Sequence, residues 1–171
     1  MATTYEAIAT VTVGSGGAAS IEFTSIPGTY TDLKILCSVR NETVAGQMTM
    51  VFNNSTDSTY SRRKLYTDGS SVASASGSSE TTFNFIDIPF SSYTANTFSS
   101  TDIYIPNYAG SNNKSFSVDN VEENNATTAY TEIIAGLRSN TAAITSIKFA
   151  INNGSDFNQY STATLYGIKN S

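Results

Sequence analysis

The stretch that decides the fold runs from residue 21 to residue 40 and reads Ile21-Glu22-Phe23-Thr24-Ser25-Ile26-Pro27-Gly28-Thr29-Tyr30-Thr31-Asp32-Leu33-Lys34-Ile35-Leu36-Cys37-Ser38-Val39-Arg40. In its second half, apolar residues take every second position, at Leu33, Ile35, Cys37 and Val39, and the residues between them include Lys34, Ser38 and Arg40. This period of two is typical of a strand with one face in a core and one near water. Pro27 and Gly28 suit the two central positions of a type II turn. The stretch therefore predicts two paired strands joined by a Pro-Gly turn, in a two-layer β protein.

The same alternation recurs along the chain. Met48, Met50 and Phe52 show it, as do Phe83 and Phe85, and in a longer run Ala129, Thr131, Ile133, Ala135 and Leu137 oppose Tyr130, Glu132 and Arg138. No stretch repeats apolar residues at helical spacing over three turns. About ten strands, each separated by turn residues, predict an all-β fold, a two-sheet antiparallel jelly-roll sandwich. The length of 171 residues fits a single domain, 1–171.

Three segments are predicted to lie between strands. Gly14-Ser15-Gly16-Gly17 would close a hairpin between residues 5–13 and 21–23. The segment from Asp68 to Glu80 consists mainly of small residues and predicts a long surface loop. The acidic run Asp119 to Asn125 offers oxygen ligands that calcium accepts, but it lacks the spacing of a calcium loop, so a solvated loop is the simpler interpretation.

The charge of the chain restricts its partners. Nine basic and 14 acidic residues give a formal net charge of −5, which argues against a nucleic-acid partner and against an anionic membrane surface. The only basic run, Arg62-Arg63-Lys64, is interpreted as a solvated strand end. No apolar run approaches the roughly 20 residues of a membrane span, so no membrane partner is expected. The strand pattern starts close to Met1, which is expected to leave little room for a separate anchoring domain.

The residue types also restrict catalysis. The chain contains no histidine, which removes Ser-His-Asp and Cys-His chemistry as well as His-ligated zinc. The single cysteine, Cys37, falls on the apolar face of its strand and is expected in the core. The acidic residues stand mostly beside turns, and no spacing nominates a carboxylate pair for glycoside hydrolysis. The sequence therefore predicts a protein that is not an enzyme, with no catalytic residue, no metal site and no cofactor.

Aromatic residues are the remaining candidates for a binding site. Ten tyrosines and nine phenylalanines occur without a tryptophan, and some of them could form a platform on which sugars stack. The simpler alternative is that the phenylalanines fill the sandwich while the tyrosines lie half buried with a wet hydroxyl. The candidate binding residues, which lie in or beside predicted turns and loops, are Tyr93, Tyr104 and Tyr108.

Three stretches carry a resemblance to a known group of proteins. Phe23 to Leu33 matches an F-x-S-I-P-x-x-Y-x-D-L pattern, and the others are Tyr104-Ile105-Pro106-Asn107-Tyr108-Ala109-Gly110-Ser111, running into Lys114-Ser115-Phe116, and Ala163-Thr164-Leu165-Tyr166-Gly167-Ile168. In these the chain resembles small structural proteins of tailed bacteriophages, which are variously called decoration, tail-fibre or virion proteins. The resemblance spans nearly the whole chain and brings no catalytic residue with it.

The resemblance implies a place on the exterior of a phage particle. A stand-alone jelly roll of this kind suggests a head decoration protein that binds the major capsid protein, assembles as a homotrimer and touches the shell through Ala2 to Glu6 or a nearby loop. The second reading is a tail-fibre or receptor-binding adhesion module that recognises a host surface glycan. A glycan depolymerase and a cellular lectin-like protein are further alternatives.

Overall fold

The computed structural model describes residues 4–125 and 128–169, except for the side chain of Phe85. The predictions made for that side chain, and for Ala2 and Thr3 of the N-terminal contact segment, lie outside this part of the chain. All regular secondary structure in these residues is β-strand. The twelve strands are β1 (Tyr5–Thr12), β2 (Ser20–Phe23), β3 (Asp32–Ser38), β4 (Gln47–Phe52), β5 (Tyr60–Thr67), β6 (Val72–Glu80), β7 (Phe83–Asp87), β8 (Ser100–Ile105), β9 (Lys114–Glu122), β10 (Tyr130–Arg138), β11 (Ile147–Ile151) and β12 (Thr162–Ile168).

The strands form two sheets of unequal width. The larger sheet has eight strands in the order β1-β12-β3-β8-β9-β10-β5-β6, and the smaller has four in the order β2-β11-β4-β7. All paired neighbours are antiparallel. This confirms the predicted all-β class and the antiparallel arrangement in two sheets of a sandwich. The jelly-roll connectivity stays a prediction.

The stretch 21–40 belongs to both sheets, and the predicted pairing of its two strands is wrong. β2 pairs with β11 in the smaller sheet, whereas β3 pairs with β12 and β8 in the larger one. The connection between them is fixed by long-range bonds, because the Ile26 amide donates to the Thr145 carbonyl over 2.9 Å and the Tyr108 hydroxyl donates to the Pro27 carbonyl. Gly28 does not adopt a left-handed φ. The Pro-Gly segment therefore carries the chain from one layer of the sandwich to the other.

The predicted hairpin at Gly14 to Gly17 is wrong for the same reason. β1 ends in the larger sheet and β2 begins in the smaller one, so the glycines connect layers. Gly16 and Gly17 have φ values of 96° and 75°, which lie in the region that favours glycine. The glycines do form a turn, in which the Gly17 amide donates to the Gly14 carbonyl over 3.3 Å. The strands on either side of it pair with strands far away in the chain, β1 with β12 and β2 with β11.

The predicted loop from Asp68 to Glu80 is mostly strand. Only its first residues turn, where the Asp68 Oδ1 accepts bonds from the amides of Ser70 and Ser71, both over 2.9 Å. From Val72 the chain pairs with β5 and forms the edge strand β6. A ladder needs only backbone donors and acceptors, so small polar side chains can continue a sheet that other strands have already built.

The core lies between the sheets and contains a cluster of four buried aromatic rings. Phe116 of β9 makes edge-to-face contacts with Phe52 and Phe83, at centroid separations of 5.4 Å and 4.7 Å. The hydroxyl of the fourth ring, Tyr60, accepts the Phe52 amide N–H over 2.8 Å, which satisfies both groups inside the core. Cys37 is buried as predicted, and burial raises the pKa of its thiol to about 12.

The larger sheet turns a row of charged residues inward. In β10, Glu132, Ile134 and Arg138 are buried, while Ile133 is 60% exposed. Of the three basic residues in β5, Arg62 and Lys64 are buried and only Arg63 is exposed, so the solvated strand end predicted for this run is wrong. Arg62 pairs with Glu80 and Lys64 pairs with Asp87, which gives these buried charges their counter-ions.

Candidate functional site

A cavity of about 500 Å³ opens at one end of the sandwich, where four strand termini meet. Gln47 begins β4 and lies opposite Asp87, the last residue of β7, while Glu122 ends β9 and lies opposite Tyr130, the first residue of β10. All four line the cavity. We call this space, lined by Gln47, Asp87, Phe90, Tyr93, Glu122 and Tyr130 together with Ala45, Gly46, Ile88, Thr128 and Asn152, the end cavity.

Aromatic rings form much of the wall of the end cavity. Phe90 and Tyr93, on the loop after β7, lie with their ring centroids 4.1 Å apart. The ring centroids of Tyr130 and Tyr66 of β5 lie 6.3 Å apart. Both residues border a smaller adjoining cavity of about 220 Å³. The side-chain amides of Gln47 and Asn152 add polar groups. Flat apolar faces next to a few polar groups are the usual composition of a small-molecule site.

Arg40 holds the loop that carries Phe90 and Tyr93. Its Nη1 donates to the Thr94 and Thr97 carbonyls over 3.0 Å and 2.9 Å, and its Nη2 donates to the Phe90 and Tyr93 carbonyls over 2.8 Å and 3.2 Å. The sequence placed Arg40 on the face near water, but the side chain is buried, and burial lowers the pKa of its guanidinium. Arg40 therefore acts as a positioning residue for the aromatic wall.

A bonded cluster of charges lies beside the end cavity. The Lys64 Nζ lies 2.5 Å from the Asp87 Oδ2 and also contacts Glu132. Gln47 donates to Asp87 over 2.8 Å, and Asn120 donates to Glu132 over 3.0 Å. Burial and the hydrogen bond to Asp87 raise the pKa of Glu132 to about 8. Burial acts in the same direction on Asp87, but its bonds to Glu132 and Lys64 outweigh this and lower its pKa.

Glu122 differs from the other carboxyl groups at the end cavity. It is 1% exposed, and its Oε2 is buried without a hydrogen-bond partner among the described residues. Burial, followed by the negative charge of Asp87, raises the pKa of Glu122 to about 8, although the charge of Lys64 and a hydrogen bond from the Tyr130 backbone amide act in the opposite direction. The nearby Tyr93 hydroxyl also has its pKa raised to about 12, by burial and by the charge of Glu122. The cavity thus contains a buried carboxyl group that is mainly protonated at neutral pH and has one oxygen that no described residue bonds.

The three tyrosines predicted as binding residues do not converge. Tyr93 lines the end cavity. Tyr104 lies on the outer face of the larger sheet, where its hydroxyl donates to the Asp32 Oδ2 over 2.8 Å. Tyr108 is completely buried and its hydroxyl is bonded to Pro27, so this candidate residue is not accessible to a ligand. The ring of Tyr108 packs in the core, beside the Pro-Gly segment that connects the two sheets.

The sequence analysis missed Gln47, Asp87, Phe90, Glu122 and Tyr130. A signal was present in the spacing of polar residues, because Asn120 and Glu122, like Tyr130 and Glu132, lie two positions apart and therefore on one face of a strand. In β9 this alternation places Asp119 outside and Glu122 inside, so the solvated loop predicted for the acidic run 119–125 is wrong up to Glu122. Residues 123–125 lie outside the strand, and Glu123 and Asn125 are exposed there. Among the described residues, no group of three or more His, Cys, Asp or Glu side chains is arranged to hold a metal ion.

A second surface feature lies on the opposite, outer face of the larger sheet. Leu65 and Ile133 are directly paired neighbours on β5 and β10, and Val72 and Val121 lie near them on the flanking strands β6 and β9. Their exposed fractions are 53%, 60%, 75% and 45% in that order. We call these four residues the outer strip. Leu65, Val72 and Ile133 line a shallow groove of about 180 Å³, and the strip has the composition of a contact surface.

The fold and the site together define an antiparallel β-sandwich protein with an acidic, aromatic-walled cavity at one end. Comparisons of the chain with protein-family models, with curated proteins and with solved structures found no match. No helix long and apolar enough to span a membrane occurs in residues 4–125 and 128–169.

Proposed function

We propose that this protein is a structural component of a tailed bacteriophage particle, displayed on its exterior, and that it is a head decoration protein bound to the major capsid protein. The resemblance of residues 23–33, 104–116 and 163–168 to phage structural proteins supplies the setting. The observation that carries a role in assembly is the outer strip, an exposed apolar surface on a sheet whose other outward side chains are mainly small and polar.

The edge strand next to the outer strip supports self-association. β6 is nine residues long, contains no proline, and carries no charge before Glu80. Its bulge against β5 lies at its end, between Gly77 and Glu80, so Val72 to Gly77 pair in regular register. Such an edge offers unpaired backbone groups, and proteins usually protect it by charge, by a bulge or by a covering element. The other edge strand, β1, has a bulge between Ala7 and Ala9 and contains Glu6. In our proposal a second copy of the chain covers β6 and the outer strip.

The proposed assembly is a homotrimer. A cyclic arrangement buries the same surface on every copy. Several weak contacts made at once to a symmetric shell then give firm binding of the whole assembly, because the second and third contacts form within a complex that already exists. Neither this role nor the alternative below includes catalysis, and the absence of enzymatic activity stays a prediction.

One observation favours the adhesion module as the second candidate. The end cavity, with Tyr93 in its wall, has the aromatic and amide groups that a glycan-binding site uses. The segment 68–80 was predicted to be a long surface loop, which an adhesin could use for binding. It is mostly an edge strand, so it does not offer such a loop. The end cavity is therefore the glycan-binding candidate in this alternative.

Counting the protein on intact particles tests the proposal. A decoration protein follows the capsid lattice, so a specific label should cover the head in a high copy number. Label confined to the tail, or specific binding of the free protein to host cells, would reject the decoration role and favour the adhesion module. Digestion of a host surface polysaccharide by the purified protein would reject both.

A further inference from the structure

We infer that the end cavity binds a primary ammonium group, with the Glu122 carboxylate as its counter-ion and the rings of Phe90, Tyr93 and Tyr130 around it. This inference goes beyond the proposed function and does not depend on where the protein sits in a particle. It concerns a site formed by one copy of the chain.

The balance of charge at the end cavity favours a cation. The carboxyl groups of Asp87, Glu122 and Glu132 lie in or beside it, whereas Lys64 is the one basic group among the described residues bonded there. The ammonium of Lys64 is shared by Asp87 and Glu132. Glu122 is left with a buried oxygen that no described residue bonds. Once Glu122 ionises, an anionic ligand would meet uncompensated negative charge, whereas a cation would supply the missing partner.

The hydrogen bonding of Glu122 favours a cation that carries N–H groups. A buried acceptor without a donor costs free energy, and a charge-assisted N–H···O⁻ bond recovers it. A quaternary ammonium ion cannot donate such a bond. The aromatic rings add attraction, because a cation is stabilised over the face of a tyrosine or phenylalanine ring.

The size of the cavity indicates that the ligand is larger than its ammonium group. About 500 Å³ holds an alkyl chain or one sugar ring beside the charge. A lysine side chain of a partner and an amino sugar of a glycan share this chemistry. The amides of Gln47 and Asn152 are available to the rest of either ligand.

Ionisation of Glu122 makes the inference testable through pH. Asp87 at the end of β7, Lys64 on β5, Glu132 and Tyr130 on β10 and Tyr93 on the loop after β7 are the titratable groups at the site. The raised pKa of Glu122 means that its proton must leave when an ammonium ion binds near neutral pH. Affinity for a cation should therefore increase as pH rises, and binding should release a proton.

The first experiment compares n-butylammonium with 1-butanol by titration of the full chain, followed by backbone amide NMR shifts. The two probes differ in charge but hardly in shape, and the amine keeps its proton over the range used, like a lysine side chain. We expect butylammonium to shift the amides of Tyr93, Glu122 and Tyr130, with an affinity at least about tenfold higher at pH 8.5 than at pH 6. Equal binding of butanol, or an affinity that does not change with pH, would overturn the inference.

Variants of Glu122 and Glu123 supply matched chains. Glu122→Gln keeps the shape of the buried side chain and removes its charge, so we expect at least about a tenfold loss of affinity at pH 8.5 and no proton release on binding. Glu123→Gln makes the same change at the exposed neighbour and should bind like the unmodified chain. Unchanged binding by a folded Glu122→Gln variant would overturn the inference. If that variant does not fold, a lack of pH dependence in the unmodified chain would overturn it.

Two further probes identify the source of the ammonium group. Nα-acetyl-lysine amide represents a partner's side chain, and glucosamine, tested against glucose near pH 7, where its amine is still mainly protonated and Glu122 begins to ionise, represents an amino sugar. The neutral counterpart of the lysine probe is 1-butanol, and that of glucosamine is glucose. If one of the two amines binds more tightly than its counterpart, the inference is supported and that amine identifies the source of the ammonium group. Binding of glucose as tightly as glucosamine would show a site for neutral sugars and overturn it.

Discussion

Gly136 of β10 lies directly across the ladder from Phe116 of β9, and the ring of Phe116 occupies the space in which a side chain at position 136 would begin. Phe116 is the ring that contacts both Phe52 and Phe83 in the core. The absence of a side chain at one position of β10 thus allows the central aromatic cluster to form.

The first prediction follows from this close approach. Gly136→Ala should lower the free energy of unfolding by about 1–3 kcal/mol, because the added methyl group forces Phe116 away from its neighbours. Chemical denaturation measures the loss. Gly28→Ala is the control, since a Cβ there meets no atom within 4 Å and the backbone is not left-handed. Equal stability of the two variants would contradict the packing described for Phe116.

The second prediction concerns the pH dependence of stability. Burial raises the pKa of Glu122 from 4.5 to about 8 in the folded protein. The unfolded chain therefore loses this proton first, and the stability associated with the protonated group is present below pH 4.5 and lost as pH rises towards 8. Each pKa unit corresponds to about 1.4 kcal/mol.

Glu122→Gln should remove part of that loss. We expect the variant to keep more of its stability between pH 5 and pH 9 than the unmodified chain does, while Glu132, whose pKa is also raised to about 8, maintains the remainder. Unfolding by urea at both pH values provides the measurement. The exposed Glu123→Gln serves as the control, and identical pH profiles for all three chains would show that Glu122 is not protonated in the folded state.

The third prediction tests the role of Arg40. Arg40→Met keeps much of the apolar stem but leaves the carbonyls of Phe90, Tyr93, Thr94 and Thr97 without their donor. We expect a loss of about 3 kcal/mol in stability and faster amide hydrogen exchange over residues 90–98. Arg63→Met, on the exposed side of β5, should change stability by less than about 0.5 kcal/mol. Unchanged exchange in that loop would refute the positioning role.

The fourth prediction tests the outer strip. Leu65→Lys combined with Ile133→Lys should dissociate the proposed homotrimer, because burying unpaired ammonium groups in an interface is costly. Sedimentation or light scattering of the purified protein reports the mass. Leu36→Lys, also on the outer face of the larger sheet but on β3, is the matched control and should leave the assembly intact. If Leu36→Lys dissociates it and the double variant does not, the interface lies elsewhere on the sheet.

The alternation of residues predicted most of the strands because it reflects a local property of the chain. A strand with one buried face must place apolar side chains at every second position, and Leu33, Ile35 and Cys37 are buried as this requires. The signal was weakest at β6, since its small residues pack little surface and its place in the sheet depends on β5.

The sequence by itself determined the all-β class, most of the strands, the burial of Cys37 and the absence of histidine from any site. Only the tertiary structure decided which strands share a sheet, because pairing depends on partners far away in the chain, as for β2 with β11 and β3 with β12. It also decided the end cavity, where Gln47, Asp87, Glu122 and Tyr130 meet across both sheets. Local periodicity separates the two faces of a strand, but it did not decide which face of β10 is covered, since Glu132 is buried and Ile133 is exposed. A site made from the ends of four strands exists only after the sheets have packed.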